Sequence, residues 1–116
     1  MVIAIVIFII TLLVLILIHE LGHFLMAKRF GIKVEEFGFG IPPRLFGKKI
    51  GETTYSLNAL PLGGFVRLLG EDEVGKVLNS RDFRAKSVGQ RIIVVVAGVA
   101  MNLILAWVIF YSVIMN

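Results

Sequence analysis

The 116-residue sequence predicts a membrane α-helical fold with a small β element: two transmembrane helices joined by a β-hairpin loop that is cytoplasmic or re-entrant. Three observations predict it. Residues 1–18 carry no charge and a single hydroxyl, Thr11. Residues 92–116 carry no charge at all. All 12 Lys and Arg and all three Pro lie between those runs, in a stretch dense in glycine. A hydrocarbon core takes roughly 20 apolar residues to cross, and both runs reach that length. Hydrophobic residues make up 58% of the chain, above the ~45–50% of soluble domains, so two spans leave little for a soluble core.

The first element, residues 1–30, reads as a helix from about Val2 to Phe30. Lys28 and Arg29 complement the negative end of its dipole and Gly31 provides the stop. It does not read as a signal peptide, because no basic residue precedes Lys28 and no Ala-x-Ala site follows the apolar run. Residues 31–79 read as a β-hairpin loop and linker. Ile41-Pro42-Pro43 is an irregular break; residues 52–60 alternate as a strand, 60–64 turn, 65–69 form a second strand, and 71–79 is a polar linker. Thr53, Tyr55, Leu57 and Ala59 are expected on one face of the first strand and Thr54, Ser56, Asn58 and Leu60 on the other. Residues 80–91 suggest a short interfacial helix capped by Ser80, and residues 92–116 the second transmembrane helix.

The net charge of +4 does not indicate a nucleic-acid binder. Lys28, Arg29 and Lys33 follow the first span, and Arg84, Lys86 and Arg91 precede the second. This is the positive-inside pattern, which places the connecting segment of a multi-pass membrane protein in the cytoplasm and both termini outside. Cysteine is absent, which rules out disulfides and every Cys-based zinc site.

The chemistry lies in His19-Glu20-Leu21-Gly22-His23. Histidines four residues apart share a helix face and can bind one zinc ion. Glu20, three residues before His23, can reach a metal-bound water as its general base. The alternative is a chance match. Against it, both histidines of the chain are in the motif, and an ionisable residue at membrane depth costs about 2.5–3.5 kcal/mol on insertion scales. Gly22 admits either a close helix or a substrate. In the second span Asn102 is the one amide before the terminal Asn116. It serves either as a donor to a substrate carbonyl or as an interhelical hydrogen bond, with Gly98 and Ala100 allowing close packing.

Together, the HExxH in a membrane helix, Val34-Glu35-Glu36-Phe37-Gly38-Phe39-Gly40, Leu60-Pro61-Leu62-Gly63-Gly64-Phe65-Val66-Arg67 and Ala97-Gly98-Val99-Ala100-Met101-Asn102 resemble the site-2 protease family of intramembrane zinc metalloproteases. The bacterial branch that cuts anti-sigma proteins (RseP-type) is the most similar. The resemblance covers nearly the whole chain. It implies Zn2+ held by His19 and His23, Glu20 as the catalytic base, and Asn102, Gly98, Leu62, Gly63 and Gly64 on the substrate. It also implies a lipid bilayer around the protein, and a single-span membrane protein as substrate, added as a strand to the 55–69 hairpin.

Two departures accompany it. Val99 stands where the family usually has Pro. The third ligand, an Asp within an Asp-Gly motif of a later span, lies beyond Asn116, so the chain reads as the amino-terminal portion of an enzyme whose carboxy-terminal part is a required partner. Glu35, Glu36, Glu52 and Asp72 are acidic alternatives in the loop. A non-catalytic membrane protein derived from the protease, acting as a regulatory or metal-binding partner, is the competing reading.

Overall fold

A computed structural model describes residues 1–71, 76, 77 and 79–116. Most of the expected 71–79 linker, and the candidate ligand Asp72, lie outside these described residues. The elements run α1 (Val2–Arg29), β1 (Val34–Ile50), β2 (Thr53–Leu68), a 3-10 turn (Phe83–Ala85) and α2 (Val88–Met115). Each α-helix has 28 residues, about 42 Å at 1.5 Å per residue, and both are long and apolar enough to cross a membrane. Lys28 and Arg29 fill the last turn of α1, and Gly31 follows with φ of 75°, the left-handed conformation in which glycine carries no Cβ penalty.

The second span begins earlier than the sequence suggested. No separate α-helix fills 80–91: a 3-10 turn covers Phe83–Ala85 and α2 begins at Val88. Asp82, not Ser80, caps the three-residue 3-10 turn, accepting from the Arg84 amide at 2.8 Å. Ser87 then caps α2 through a capping box with Gln90. The polar residues 80–87 satisfy backbone groups through these two caps, which leaves too short a stretch for an intervening amphipathic helix.

The β element is also larger than expected. The strands are not 52–60 and 65–69 around a 60–64 turn; β1 and β2 together cover nearly all of 34–68 and reverse at Gly51-Glu52. Residues 34–39 pair in falling register with 64–68 and in rising register with 54–57, while 44–50 pair with 53–58. Pro42 and Pro43 sit between the pairs Ile41–Leu60 and Arg44–Asn58 and take part in neither. Because Pro lacks the N–H that a ladder needs, a strand tolerates it where pairing is interrupted, here as β1 crosses from one side of 54–57 to the other.

In the middle of this sheet polar side chains turn inward and apolar ones outward. Ser56 and Asn58 are buried, whereas Leu57 and Leu60 are exposed. Thr53 is buried too, with its hydroxyl donating to the Val34 carbonyl at 2.8 Å. The Asn58 amide reaches the carbonyls of Phe39 and Gly40 at 3.2 and 3.3 Å. Glu36, 4% exposed, accepts from Ser56 at 2.6 Å and pairs with Arg44 and Arg67 at 3.0 and 3.2 Å. The expected two-residue alternation is therefore interrupted at the register shifts between the strands. A buried polar group must find a partner, and these side chains find theirs on the neighbouring strand.

The sheet lies against the lower half of α1. Phe24 meets the Phe37 ring at 5.2 Å and the Tyr55 ring at 6.1 Å. A small core of Ala27, Ile32, Val34, Leu68 and Val94 closes the corner where both helices and both strands meet. Outside it, Lys28 and Arg81 converge on Glu52 at the hairpin turn, Lys28 at 3.3 Å and Arg81 through both guanidinium nitrogens. The helices cross at Gly22, where a Cβ would stand 2.3 Å from the Ala97 carbonyl oxygen.

Candidate metal centre

His19, Glu20 and His23 occupy adjacent turns of α1, and their ligand atoms all lie within 4.8 Å of one another. The helix brings them together with no help from elsewhere, as the four-residue spacing demands. Two contacts orient the rings. His23 Nδ1 lies 2.8 Å from the Val94 carbonyl oxygen of α2. Since a carbonyl only accepts, that nitrogen carries the hydrogen and Nε2 carries the lone pair. His19 Nδ1 lies 3.4 Å from the Asn102 side-chain nitrogen. The two Nε2 atoms face each other at 3.1 Å.

That pair fits a zinc ion. Two nitrogens each about 2.0–2.1 Å from a tetrahedral zinc stand roughly 3.3–3.4 Å apart, and small ring rotations make up the difference. The nitrogen–carboxylate donor set is one zinc accepts, and the Nδ1 contact to Val94 is the outer-shell support that ligating histidines usually have. Space beside the rings comes from Gly98. A Cβ there would stand 2.7 Å from both Nε2 atoms, so a side chain at this position would occupy the face the metal needs.

The other expected site residues divide. Gly98 lies against the ligand rings, and Asn102 against His19. Gly64 brings β2 to the centre, since a Cβ there would meet Ile16 at 3.1 Å and the Glu20 Cγ at 3.4 Å. Gly63 faces Ile41 of β1 instead, and Leu62 is exposed. Of the loop carboxylates, Glu36 is held by its two arginines and Glu52 by Arg81 and Lys28, which keep both engaged away from the histidines. The hydrogen bonds from Arg81, and then from Lys28, hold the Glu52 carboxyl at a pKa of about 2, well below the usual carboxylate range. Val94 was not foreseen. Its contribution is a backbone carbonyl, for which no residue type is a signal.

The family model described as peptidase family M50 matches residues 7–116. The chain belongs to peptidase family M50. Curated relatives agree. A protein of Clostridium perfringens whose name describes a zinc metalloprotease is 53% identical over 102 residues, covering 88% of this chain and 30% of that protein. The regulator of sigma-E protease RseP of Escherichia coli is 41% identical over 111 residues, covering 89% of this chain and 24% of its own length. The zinc metalloprotease RasP of Geobacillus kaustophilus is 55% identical over 58 residues, half of this chain. The M50 chain thus spans about a third or less of these relatives' length. The match extends over both apolar helices and the sheet, and zinc is the metal that the relatives' names and the His-Glu-His cluster share.

Proposed function

We propose that this chain is the metal-binding, substrate-docking part of an intramembrane zinc endopeptidase that cuts transmembrane segments of single-span proteins such as anti-sigma factors. The observation that carries the reading is the pair of Nε2 atoms 3.1 Å apart, on a helix of transmembrane length, beside Glu20. His19 and His23 would hold the zinc. The third ligand would be an Asp carboxylate from a later span of the whole protein. When bound, zinc acidifies water and polarises a peptide carbonyl.

The chain's own residues supply the rest. The Glu20 carboxylate takes a proton from the attacking water and returns it to the leaving amide nitrogen. The sheet answers a separate problem, because a helical substrate hides its scissile carbonyls in its own hydrogen bonds. In β2, residues 64–68 pair only with 34–39 among the described residues, and Gly64 sits beside Glu20. An unwound substrate segment adding to that edge would have its backbone hydrogen bonds satisfied while passing the metal. The apolar outer residues Leu45, Phe46, Leu57, Leu60 and Leu62 suit a sheet that dips into the membrane. The basic residues between the spans favour a cytoplasmic position for this segment and an outside position for both termini.

The test is cleavage of a single-span substrate by the natural full-length product in proteoliposomes. Wild type should cut within or beside the transmembrane segment, and Glu20→Gln should lose cleavage while keeping zinc. Cleavage retained by Glu20→Gln would overturn the role of Glu20. A wild-type protein that binds zinc and cuts nothing would favour the regulatory reading.

A further inference from the structure

We infer that Asn102 is a positioning residue of the metal centre: its side-chain oxygen accepts a hydrogen bond from His19 Nδ1–H, which keeps the ring hydrogen on Nδ1 and leaves the His19 Nε2 lone pair for the metal. The inference rests on the metal-centre reading and deepens it, because Asn102 then acts first on a ligand ring and not on the substrate. It starts from a difference between the two histidines. His23 has its tautomer set by the Val94 carbonyl, which can only accept, so its Nε2 lone pair always faces the site. His19 has no such anchor. Its Nδ1 partner is the Asn102 amide, 3.4 Å away at Nδ2.

An amide can hold an imidazole in either tautomer. With Nδ2 donating, His19 Nδ1 must accept, and the ring hydrogen lies on Nε2. That hydrogen then points at His23 Nε2, 3.1 Å away, and the two rings satisfy each other with no lone pair left for a metal. In this orientation the Asn102 oxygen is buried with no hydrogen-bond partner among the described residues. A half turn of the amide exchanges oxygen and nitrogen in nearly the same volume. The oxygen then accepts from His19 Nδ1–H, and both Nε2 lone pairs face the space beside Gly98. The turned amide leaves Nδ2 unpaired in place of the oxygen, and it breaks the bond between the two rings, so both Nε2 atoms are acceptors that only a metal ion or another donor can satisfy. What the turn supplies is two free Nε2 lone pairs where there was none. The amide of Asn102 is therefore a two-position device, one position for the metal-free pair and the other for the metal-holding pair.

The experiment is a zinc-competition titration of the natural full-length product in mild detergent, using a chromophoric chelator. It compares wild type with Asn102→Leu, which neither donates nor accepts, and Asn102→Asp, which only accepts. Outer-shell partners of a ligating histidine are worth about 10–100-fold in metal affinity. Asn102→Leu should weaken zinc binding by that factor, and Asn102→Asp should restore it to within a few-fold of wild type. Equal affinity in wild type and Asn102→Leu overturns the inference, as does Asn102→Asp being as weak as Asn102→Leu. A wild type that holds no zinc overturns the metal-centre reading itself. Should Asn102→Leu fail to fold, the histidine 15N spectrum of zinc-loaded wild type decides: Nδ1–H with metal at Nε2 on both rings is expected, and metal at Nδ1 of His19 refutes it.

Discussion

Gly98→Ala subjects the metal centre to its most direct test. The added methyl would stand 2.7 Å from Nε2 of both histidines and 2.8 Å from Cε1 of His19. Ordinary contact begins near 3.4 Å, so each ring must retreat by about 0.7 Å. Neither ring is free to do so. His23 is tied to the Val94 carbonyl and His19 to Asn102, both on the same helix as the new methyl. The alternative is to separate the helices at the Gly22–Ala97 crossing. Overpacking of this kind costs about 1–3 kcal/mol, which corresponds to roughly 5- to 150-fold in a dissociation constant. The assay is a zinc-competition titration in detergent, with helical circular dichroism to confirm the fold. Val99→Ala serves as control, since Val99 is half exposed on the same turn. Zinc affinity in Gly98→Ala within about twofold of wild type would refute the argument, because the ligand rings could not then face this glycine.

Three further substitutions probe other parts of the structure. Glu20→Gln should lower kcat by about 10²–10⁴ with zinc affinity unchanged, the range expected for losing a general base; a loss of zinc in parallel would instead make Glu20 a ligand. Glu36→Leu leaves Arg44 and Arg67 without their buried partner and should cost about 1–3 kcal/mol of stability, read as a fall in thermal midpoint in detergent. An unchanged midpoint would mean that water replaces the carboxylate at no cost. Glu52 sets a pH dependence at the hairpin turn. Its folded pKa of about 2 lies below the unfolded value of 4.5, so its tether is fully present above pH 4.5 and is lost as the pH falls towards 2. Proteolysis near Gly51 should accelerate across that window in wild type and should be less pH-dependent in Glu52→Gln. Because these groups are exposed, the effect should also shrink in high salt.

Both helices and the metal motif were legible in the sequence because they rest on local rules. Apolar length marks the spans, and four-residue spacing alone puts His19 and His23 on one face. The sheet was legible only in part. Its strongest cue, alternation over 53–60, signals a strand but not its neighbours. Pro42-Pro43 looked like an end to regular structure when it is the point where β1 crosses from one side of 54–57 to the other. Which face is buried was not legible, and over residues 56–60 it is the polar one. Sequence rules assume water outside, and here Ser56 and Asn58 turn inward to partners on β1 while Leu57 and Leu60 turn outward. Ser80 looked like the cap of a short helix; instead Asp82 closes a 3-10 turn and Ser87 caps α2. Asn102 stood out in the sequence as a polar residue in an apolar helix, and its amide lies 3.4 Å from His19 Nδ1. Whether its partner was a substrate, a neighbouring helix or a ligand ring depended on the helix crossing, which no local pattern encodes.

The crossing depends on three glycines, one from each element around the histidines. Gly22 lets α1 meet the backbone of α2, Gly98 lets α2 meet the ligand rings, and Gly64 lets β2 meet Glu20. Each removes a methyl group at a contact where a Cβ would be crowded, but the contacts differ in tolerance. At Gly22 the obstacle is the backbone oxygen of Ala97 at 2.3 Å, which cannot move without its helix. At Gly64 the nearest atoms stand at 3.1–3.4 Å and include side chains that can yield by a few tenths of an ångström. The alanine series should therefore separate the two functions. Gly22→Ala should disturb both helix packing and zinc binding, because His23 is oriented by a carbonyl on the displaced helix. Gly64→Ala should leave zinc affinity within about twofold and act on substrate, raising KM or lowering kcat by narrowing the space between the strand edge and Glu20. Measured zinc affinity and cleavage kinetics on the two variants check this directly. If Gly64→Ala lost zinc as Gly22→Ala does, the sheet would be a structural wall of the metal centre and not the surface on which substrate is presented.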